Sequence, residues 1–280
     1  MNFTISALLV VAPILSVRIL LQNYAQVTRQ NLMLYILACL INLIITGIIL
    51  YFVVNKKLPK QLLLGGLLFF LGGTIATAAI SLREPDMSQT VLQNTIRDHF
   101  RYLILFIFTG IICIAFSVTL KPFRNETTKI HKWIISIFIL AAIGFFWEFI
   151  HQYFYSDNLK KWIDSGKNAT EFNSFYFDNF NTKTFGFGRI FQYMSIGLLG
   201  LILLRFNKIK KWSFGVLLFL CCLGILVGCR LAIIDPEVIF KGEIFPIEWG
   251  ILNLFVLPAT PFILLYWTSI AFLTKKTITE

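Results

Sequence analysis

Residues 102–120 read YLILFIFTGIICIAFSVTL, a run of nineteen residues without a charge between Arg101 and Lys121. At 1.5 Å per residue, a helix of this length crosses a hydrocarbon core of roughly 30 Å. Lipid offers no hydrogen-bond partners to the backbone, so a spanning segment must satisfy its own polar groups. The alternation expected of a barrel strand is absent. This stretch therefore predicts a transmembrane helix.

Apolar runs of similar length recur along the chain. The predicted fold class is all-α, a polytopic helical membrane protein that forms a single integral membrane domain over residues 1–280. The first run lacks a basic leading segment, which favours a retained helix over a cleaved signal. About eight spans are predicted: Phe3–Leu21, Leu32–Val54, Leu62–Leu82, Tyr102–Leu120, Trp133–Phe154, Ile190–Phe206, Trp212–Ile234 and Trp249–Leu273.

The composition agrees with this class, because the chain is 57% hydrophobic and 14% charged, whereas soluble domains carry about 25% charged residues. Its net charge of +11 comes from basic residues between the apolar runs, where they set topology, so no nucleic-acid partner is predicted. All five cysteines fall inside candidate spans without a CxxC spacing. They are interpreted as small core residues, and no metal site is predicted.

Basic residues are concentrated in alternate connections, and this pattern predicts the orientation of the chain in the membrane. Every even-numbered connection is basic, and basic loops stay in the cytoplasm. Both termini are therefore predicted inside, with the long segments 83–101 and 155–189 outside and the second of these folded over the helix ends. The basic residues concerned are Lys56, Lys57 and Lys60, then Lys121, Arg124, Lys129 and Lys132, then Arg205, Lys208, Lys210 and Lys211, and finally Lys275 and Lys276.

Charged and polar residues within spans need a physical reason, since a central charge costs roughly 2.5–3.5 kcal/mol on insertion scales. Glu148 and His151 are three residues apart and share a helix face. Arg18, Arg189 and Arg230 complete a predicted group at the outer ends of the helices. Snorkelling of Arg18 and Arg189, or a simple hydrogen-bonded pair of Glu148 with His151, remain alternative readings.

Arg230 follows Gly224 and Gly228, which permit close helix approach. The planar fork of an arginine suits phosphate, because it donates two parallel hydrogen bonds and does not deprotonate. The phosphate available at this depth belongs to a phospholipid head group of the outer leaflet. The predicted partner is therefore an anionic membrane phospholipid.

The order of motifs from residue 190 onward is informative. The chain reads Gln192-Tyr193-Met194-Ser195, then a basic turn, then GILVGCR ending at Arg230, then Asp235-Pro236, Glu248-Trp249-Gly250 and Pro258. This order resembles the prolipoprotein diacylglyceryl transferases of bacterial inner membranes. The chain departs from their signature at Phe145 and Glu148, and His99-Phe100-Arg101 is the nearest match to the family's His-Gly-Gly.

The resemblance implies transfer of a diacylglyceryl group from phosphatidylglycerol to the cysteine of a lipoprotein precursor, without a metal or soluble cofactor. Arg230 and a second cation, Arg189 or Arg18, would bind the lipid phosphate. His151 or His99 would act as the base, with Glu148 as a further candidate catalytic residue.

Three other functions stay open. A non-catalytic relative would bind lipid or a partner protein through the same cleft. A small-solute or proton-coupled transporter would use Glu148, His151 and Arg230 along a path through the membrane. A carotenoid-type cyclase is suggested only by Pro246-Ile247-Glu248 before an aromatic-rich span.

Overall fold

A computed structural model describes residues 32–81, 95–124, 128–176, 179–234, 252, 254–256 and 260–275. Regular structure in these residues is entirely helical, which confirms the predicted all-α class. The span predicted at Phe3–Leu21, with Arg18, lies outside the described residues. The helices are α1 Leu32–Val53, α2 Lys60–Ser81, α3 Thr95–Leu120, α4 Thr128–Tyr153, α5 Tyr155–Asp164, α6 Ala169–Tyr176, α7 Asn179–Arg205, α8 Lys211–Ile233 and α9 Thr260–Leu273, with a 3-10 turn at Lys121–Phe123.

Four helical segments in the described part of the chain are long and apolar enough to cross a membrane: Asp98–Phe123, Lys132–Asp164, Phe180–Arg205 and Lys211–Ile233. Shorter apolar stretches occupy Leu40–Val53, Lys60–Ala76 and Thr260–Leu273. By length and composition, these helices are those of a membrane protein.

The last helix, α9, starts later than predicted, at Thr260 rather than Trp249. Three other helices start at least five residues earlier than the hydropathy pattern predicts. α3 begins at Thr95 rather than Tyr102, α4 at Thr128 rather than Trp133, and α7 at Asn179 rather than Ile190. Hydropathy marks only the apolar part of a helix, whereas backbone hydrogen bonding continues through polar turns. Residues 95–101 and 179–189 of the predicted outer segments are therefore helical extensions of the spans. His99 and Arg189 consequently lie within helices.

Five helices pack as a closed ring. Going around it, α7 contacts α4, α4 contacts α3, α3 contacts α2, α2 contacts α9, and α9 returns to α7. Outside the ring, α8 packs along α7 and α1 lies against α2. Aromatic pairs pack inside the ring. The ring centroids of Phe69 on α2 and Phe116 on α3 are 5.0 Å apart, and those of Phe145 on α4 and Phe262 on α9, which meet across the ring, are also 5.0 Å apart.

Glycines on α2 allow it to fit between two neighbours. Gly65 and Gly72 face α3, while Gly66 and Gly73 face α9. A Cβ atom added at Gly66 would stand 2.6 Å from the Leu273 side chain. These glycines therefore serve tight helix packing.

The basic connections meet at one end of the bundle, which we call the basic end. The backbone N–H of Asn55 donates to the Leu273 carbonyl over 2.7 Å. The Lys275 ammonium donates to the Asn207 carbonyl over 2.8 Å. The rings of Phe123 and Phe206 stack with centroids 4.5 Å apart. The loops after α1, α3 and α7 and the residues after α9 are thus on the same side.

The opposite end carries α5 and α6, which we call the cap. These two short helices bury a small cluster of their own, formed by Tyr155, Leu159, Phe172 and Tyr176. α5 contacts both α3 and α4. The prediction that this segment folds over the helix ends agrees with this placement.

Candidate functional site

The site begins where α4 and α7 cross. Gly144 and Gly188 face each other so closely that a Cβ on Gly144 would stand 2.6 Å from the Gly188 Cα. Helices approach this closely only where side chains are absent. Glu148, one turn beyond Gly144, and Arg189, next to Gly188, are thereby brought together.

Arg189 uses most of its hydrogen-bond donors within the protein. Its Nη2 lies 2.7 Å from Oε1 of Glu148, and its Nη1 donates to Oε1 of Gln192 over 2.7 Å. Nε and Nη2 donate to the Val256 carbonyl over 3.3 and 3.0 Å. Arg189 is 2% exposed and Glu148 7% exposed. The pair is therefore a buried, multiply hydrogen-bonded ion pair, and Arg189 does not snorkel to the surface.

Arg101 on α3 is the second buried cation near Glu148. It is 4% exposed, and its charge acts on the Glu148 carboxyl. Its guanidinium carbon lies 5.0 Å from the centre of the Tyr102 ring. Asp98, one turn earlier, is also buried and its charge acts on the hydroxyl of Tyr155 in the cap.

Two buried donors near this ion pair have no hydrogen-bond partner among the described residues: Nε of Arg101 and Nε2 of Gln192. Buried polar groups are nearly always paired, so each such group requires an explanation. We call Arg101, Glu148, Arg189 and Gln192 the arginine cluster.

Counting along the helices gives the depth of the arginine cluster. Arg189 is sixteen residues before Arg205, the last residue of α7, and Glu148 is sixteen residues after Lys132. At 1.5 Å per residue, both are about 24 Å from the basic end. The cluster therefore lies toward the cap end of both helices.

His99 joins α3 to the cap. Its Nε2 is 3.1 Å from Oδ2 of Asp157 and 3.4 Å from Oγ of Ser156. The imidazole ring also packs on Tyr153, with centroids 4.7 Å apart. Both oxygens contact the same nitrogen of His99. A Ser-His-Asp triad uses both ring nitrogens, so His99, Ser156 and Asp157 do not have that relay arrangement.

His151 packs under the cap rather than against Glu148. Its ring stacks on Tyr176 with centroids 4.1 Å apart, and the Tyr176 hydroxyl donates to the His151 carbonyl over 2.6 Å. Burial raises the pKa of Tyr176, partly opposed by a hydrogen bond from Asn158. The hydroxyl therefore stays protonated as a donor at neutral pH.

Arg230 lies in the last turn of α8 on an exposed face. Leu226 and Ile233 on the same side are 61% and 79% exposed, whereas Val227 and Leu231 pack inward. Gly224 and Gly228 do allow α8 to approach α7 closely, against Tyr193 and Ile190. The residue that contacts Glu148 is Arg189, and Arg230 is on the other side of its helix.

Sequence reasoning singled out Glu148, His151, His99 and Arg189, named Arg101 only beside His99, and gave no site role to Gln192 or Asp157. The three-residue spacing of Arg189 and Gln192 was the available signal, because such residues share a helix face. Among the residues the structure describes, no group of three His, Cys, Asp or Glu side chains is placed to hold a metal ion.

Comparison of the chain with protein-family models, curated proteins and solved structures gives no significant match.

Proposed function

We propose that this chain is an eight-span protein of the bacterial inner membrane, with both termini in the cytoplasm, that binds the anionic head group of an outer-leaflet phospholipid. The observation that carries this proposal is the arginine cluster. Two guanidinium groups act on one buried carboxylate, and donors of Arg101 and Gln192 find no partner among the described residues.

The energetics favour an anionic ligand. A charge moved into apolar surroundings is costly unless it is paired and hydrogen-bonded. Glu148 is ion-paired with Arg189, so the cluster contains two guanidinium groups and one carboxylate. A phosphoryl group would supply two acceptors to the guanidinium fork and neutralise its charge.

The position of the cluster favours a lipid as the source of that phosphate. It lies about 24 Å from the basic end, near the boundary of a core of roughly 30 Å. The grouping of the basic connections at the other end supports the proposed orientation by the positive-inside rule.

The proposal is tested by measuring the lipid that stays with the purified protein. In nanodiscs with equal phosphatidylglycerol and phosphatidylcholine, native mass spectrometry should show preferential retention of phosphatidylglycerol. Binding of both lipids in proportion to their abundance would contradict the proposal.

A finer proposal is that the protein transfers a diacylglyceryl group to a lipoprotein precursor, as the resemblance to the transferases implies. Arg230 would then contact the phosphate from the exposed face of α8, outside the arginine cluster, and His99, held by Asp157, would be the candidate base. Rescue of cells depleted of their own transferase tests this activity, and Arg230→Lys should abolish rescue because it loses the bidentate fork.

A proton-coupled transporter is the second candidate, favoured by the burial of Glu148 within a helix of the bundle. Buried intramembrane carboxylates are frequent members of proton relays. When a proton gradient is imposed on reconstituted vesicles, their internal pH would then change, and Glu148→Gln would abolish this proton flux. The depth of the cluster, away from the membrane midplane, makes lipid binding the preferred proposal.

A further inference from the structure

The two buried arginines of the cluster differ in how their donors are used. A guanidinium has five N–H groups, and Arg189 makes four hydrogen bonds, to Gln192, to Glu148 and twice to the Val256 carbonyl. Little of Arg189 is left for a ligand. Its bonds instead hold α7 against α4 and against residues 254–256.

Arg101 has the opposite character. It is 4% exposed, and Nε has no hydrogen-bond partner in the described part of the chain. Its guanidinium carbon lies 5.0 Å from the centre of the Tyr102 ring, and the face of a ring cannot accept a strong hydrogen bond in the plane of the guanidinium.

We propose that Arg101 is the residue that contacts the anionic ligand, with the Gln192 amide as a second donor, while Arg189 is a structural arginine that fixes Glu148. This assignment rests on the proposed function, because it names the binding residue of the same site. The ligand chemistry required is a pair of phosphoryl oxygens that accept from Nε and a terminal nitrogen of one guanidinium.

The assignment predicts opposite effects of neutralising each arginine. Arg101→Gln breaks no hydrogen bond or ion pair of the cluster among the described residues, so the fold should keep its stability while ligand binding is lost. Arg189→Gln strips Glu148 of its ion-pair partner and the Val256 carbonyl of two donors. Removing one partner from a buried pair is strongly destabilising, so this variant should lose stability first.

The experiment compares wild type, Arg101→Gln, Arg189→Gln and Arg205→Gln in nanodiscs that contain phosphatidylglycerol and phosphatidylcholine. Arg205 is the matched control, since it is an exposed arginine at the opposite end of α7. Retained phosphatidylglycerol is counted by native mass spectrometry, and the apparent Tm is followed by intrinsic fluorescence.

Arg101→Gln should reduce retention about ten- to hundredfold, as expected for a lost charge-assisted hydrogen bond, with an apparent Tm close to that of wild type. Arg189→Gln should lower the apparent Tm by roughly 10 °C. Arg205→Gln should change neither quantity. Excess inorganic phosphate that displaces the lipid would identify a soluble phosphate as the ligand, and failure to displace it would identify the lipid-borne group.

The assignment is overturned if Arg101→Gln retains the lipid like wild type, or if its Tm falls as far as that of Arg189→Gln. It is also overturned if Arg189→Gln loses the lipid at an unchanged Tm, because the roles would then be reversed. A wild-type protein without any preference for phosphatidylglycerol is a different result, which removes the proposed function itself.

Discussion

The ion pair of Glu148 with Arg189 depends on two residues that have no side chain. Gly144 and Gly188 let the backbones of α4 and α7 touch, and the two charged residues follow within one turn. A guanidinium and a carboxylate 2.7 Å apart are sensitive to any separation of their helices. The crossing and the cluster are therefore one structural unit.

A methyl group at Gly144 should separate these helices. Its Cβ would meet the Gly188 Cα at 2.6 Å, and backbone cannot rotate aside as a side chain can. Gly144→Ala should lower the free energy of unfolding by about 1–3 kcal/mol, the usual cost of overpacking. The measurement is denaturant-induced unfolding in detergent.

Gly110→Ala on α3 is the control, because a Cβ there meets nothing within 4 Å. It should leave the free energy of unfolding unchanged or raise it slightly, since alanine favours helix more than glycine does. Equal destabilisation by the two substitutions would show that the crossing at Gly144 is not tight.

The sequence makes part of the cluster recognisable. Glu148 stands out because a carboxylate within an apolar run is rare, and Arg189 stands out beside the start of another run. Their pairing does not follow from the sequence, because it requires knowing that α4 contacts α7. Arg101 received no binding role because hydropathy places it in a polar turn just outside the span, although α3 already includes it.

At the scale of elements, His99 makes a polar contact between α3 and the cap. His99 contacts both Asp157 and Ser156 at the start of α5, whereas the apolar cluster of the cap is internal to α5 and α6. The start of α5 is thus tied to the bundle by a polar contact whose removal leaves the cluster intact.

His99→Ala should therefore loosen the cap without unfolding the bundle. Loss of a hydrogen bond worth about 1 kcal/mol corresponds to roughly fivefold faster amide exchange where opening is local. Hydrogen–deuterium exchange of a peptide covering Tyr155–Asp164 measures this change, with peptides from α8 as an internal reference. Asp164→Ala, an exposed position at the end of α5, is the matched control and should leave exchange near Tyr155 unchanged.

Helix positions follow well from hydropathy where a helix is apolar throughout. α1, α2 and α8 begin and end within two residues of the predicted spans. The errors at the starts of α3 and α7 have one cause, since a polar helical turn outside the hydrocarbon carries no hydropathic signal. That cause also hides the turns that hold His99 and Arg101.

At the scale of the whole molecule, charge is distributed unevenly between the two ends. The connections with Lys56, Arg124, Lys208 and Lys275 meet at the basic end, and Lys275 is held there by carbonyls of Asn207 and of the adjoining loop. Burial and the neighbouring lysines Lys208 and Lys210 lower the pKa of Lys275. Because these positively charged connections lie at the same end of the bundle, we predict that this end faces the cytoplasm.

This orientation can be tested by labelling intact cells. In a background without native cysteines, Lys183→Cys should react with an impermeant thiol reagent, whereas Lys210→Cys should react only after the cells are opened. Both positions are exposed, so accessibility to the reagent depends on the side of the membrane. The reverse pattern would place the arginine cluster toward the cytoplasm and contradict binding of an outer-leaflet lipid.

Because α9 closes the ring, the ring of helices cannot be completed until α9 has been translated. Ribosomes deliver helices in chain order, so α2, α3, α4 and α7 enter the bilayer as an open arc before α9 is translated. Until then, Gly66 and Gly73 of α2 lack the neighbour against which they pack. A chain stalled before α9 therefore remains an unsealed intermediate, whose gap must be filled by lipid or by the insertion machinery until translation is complete.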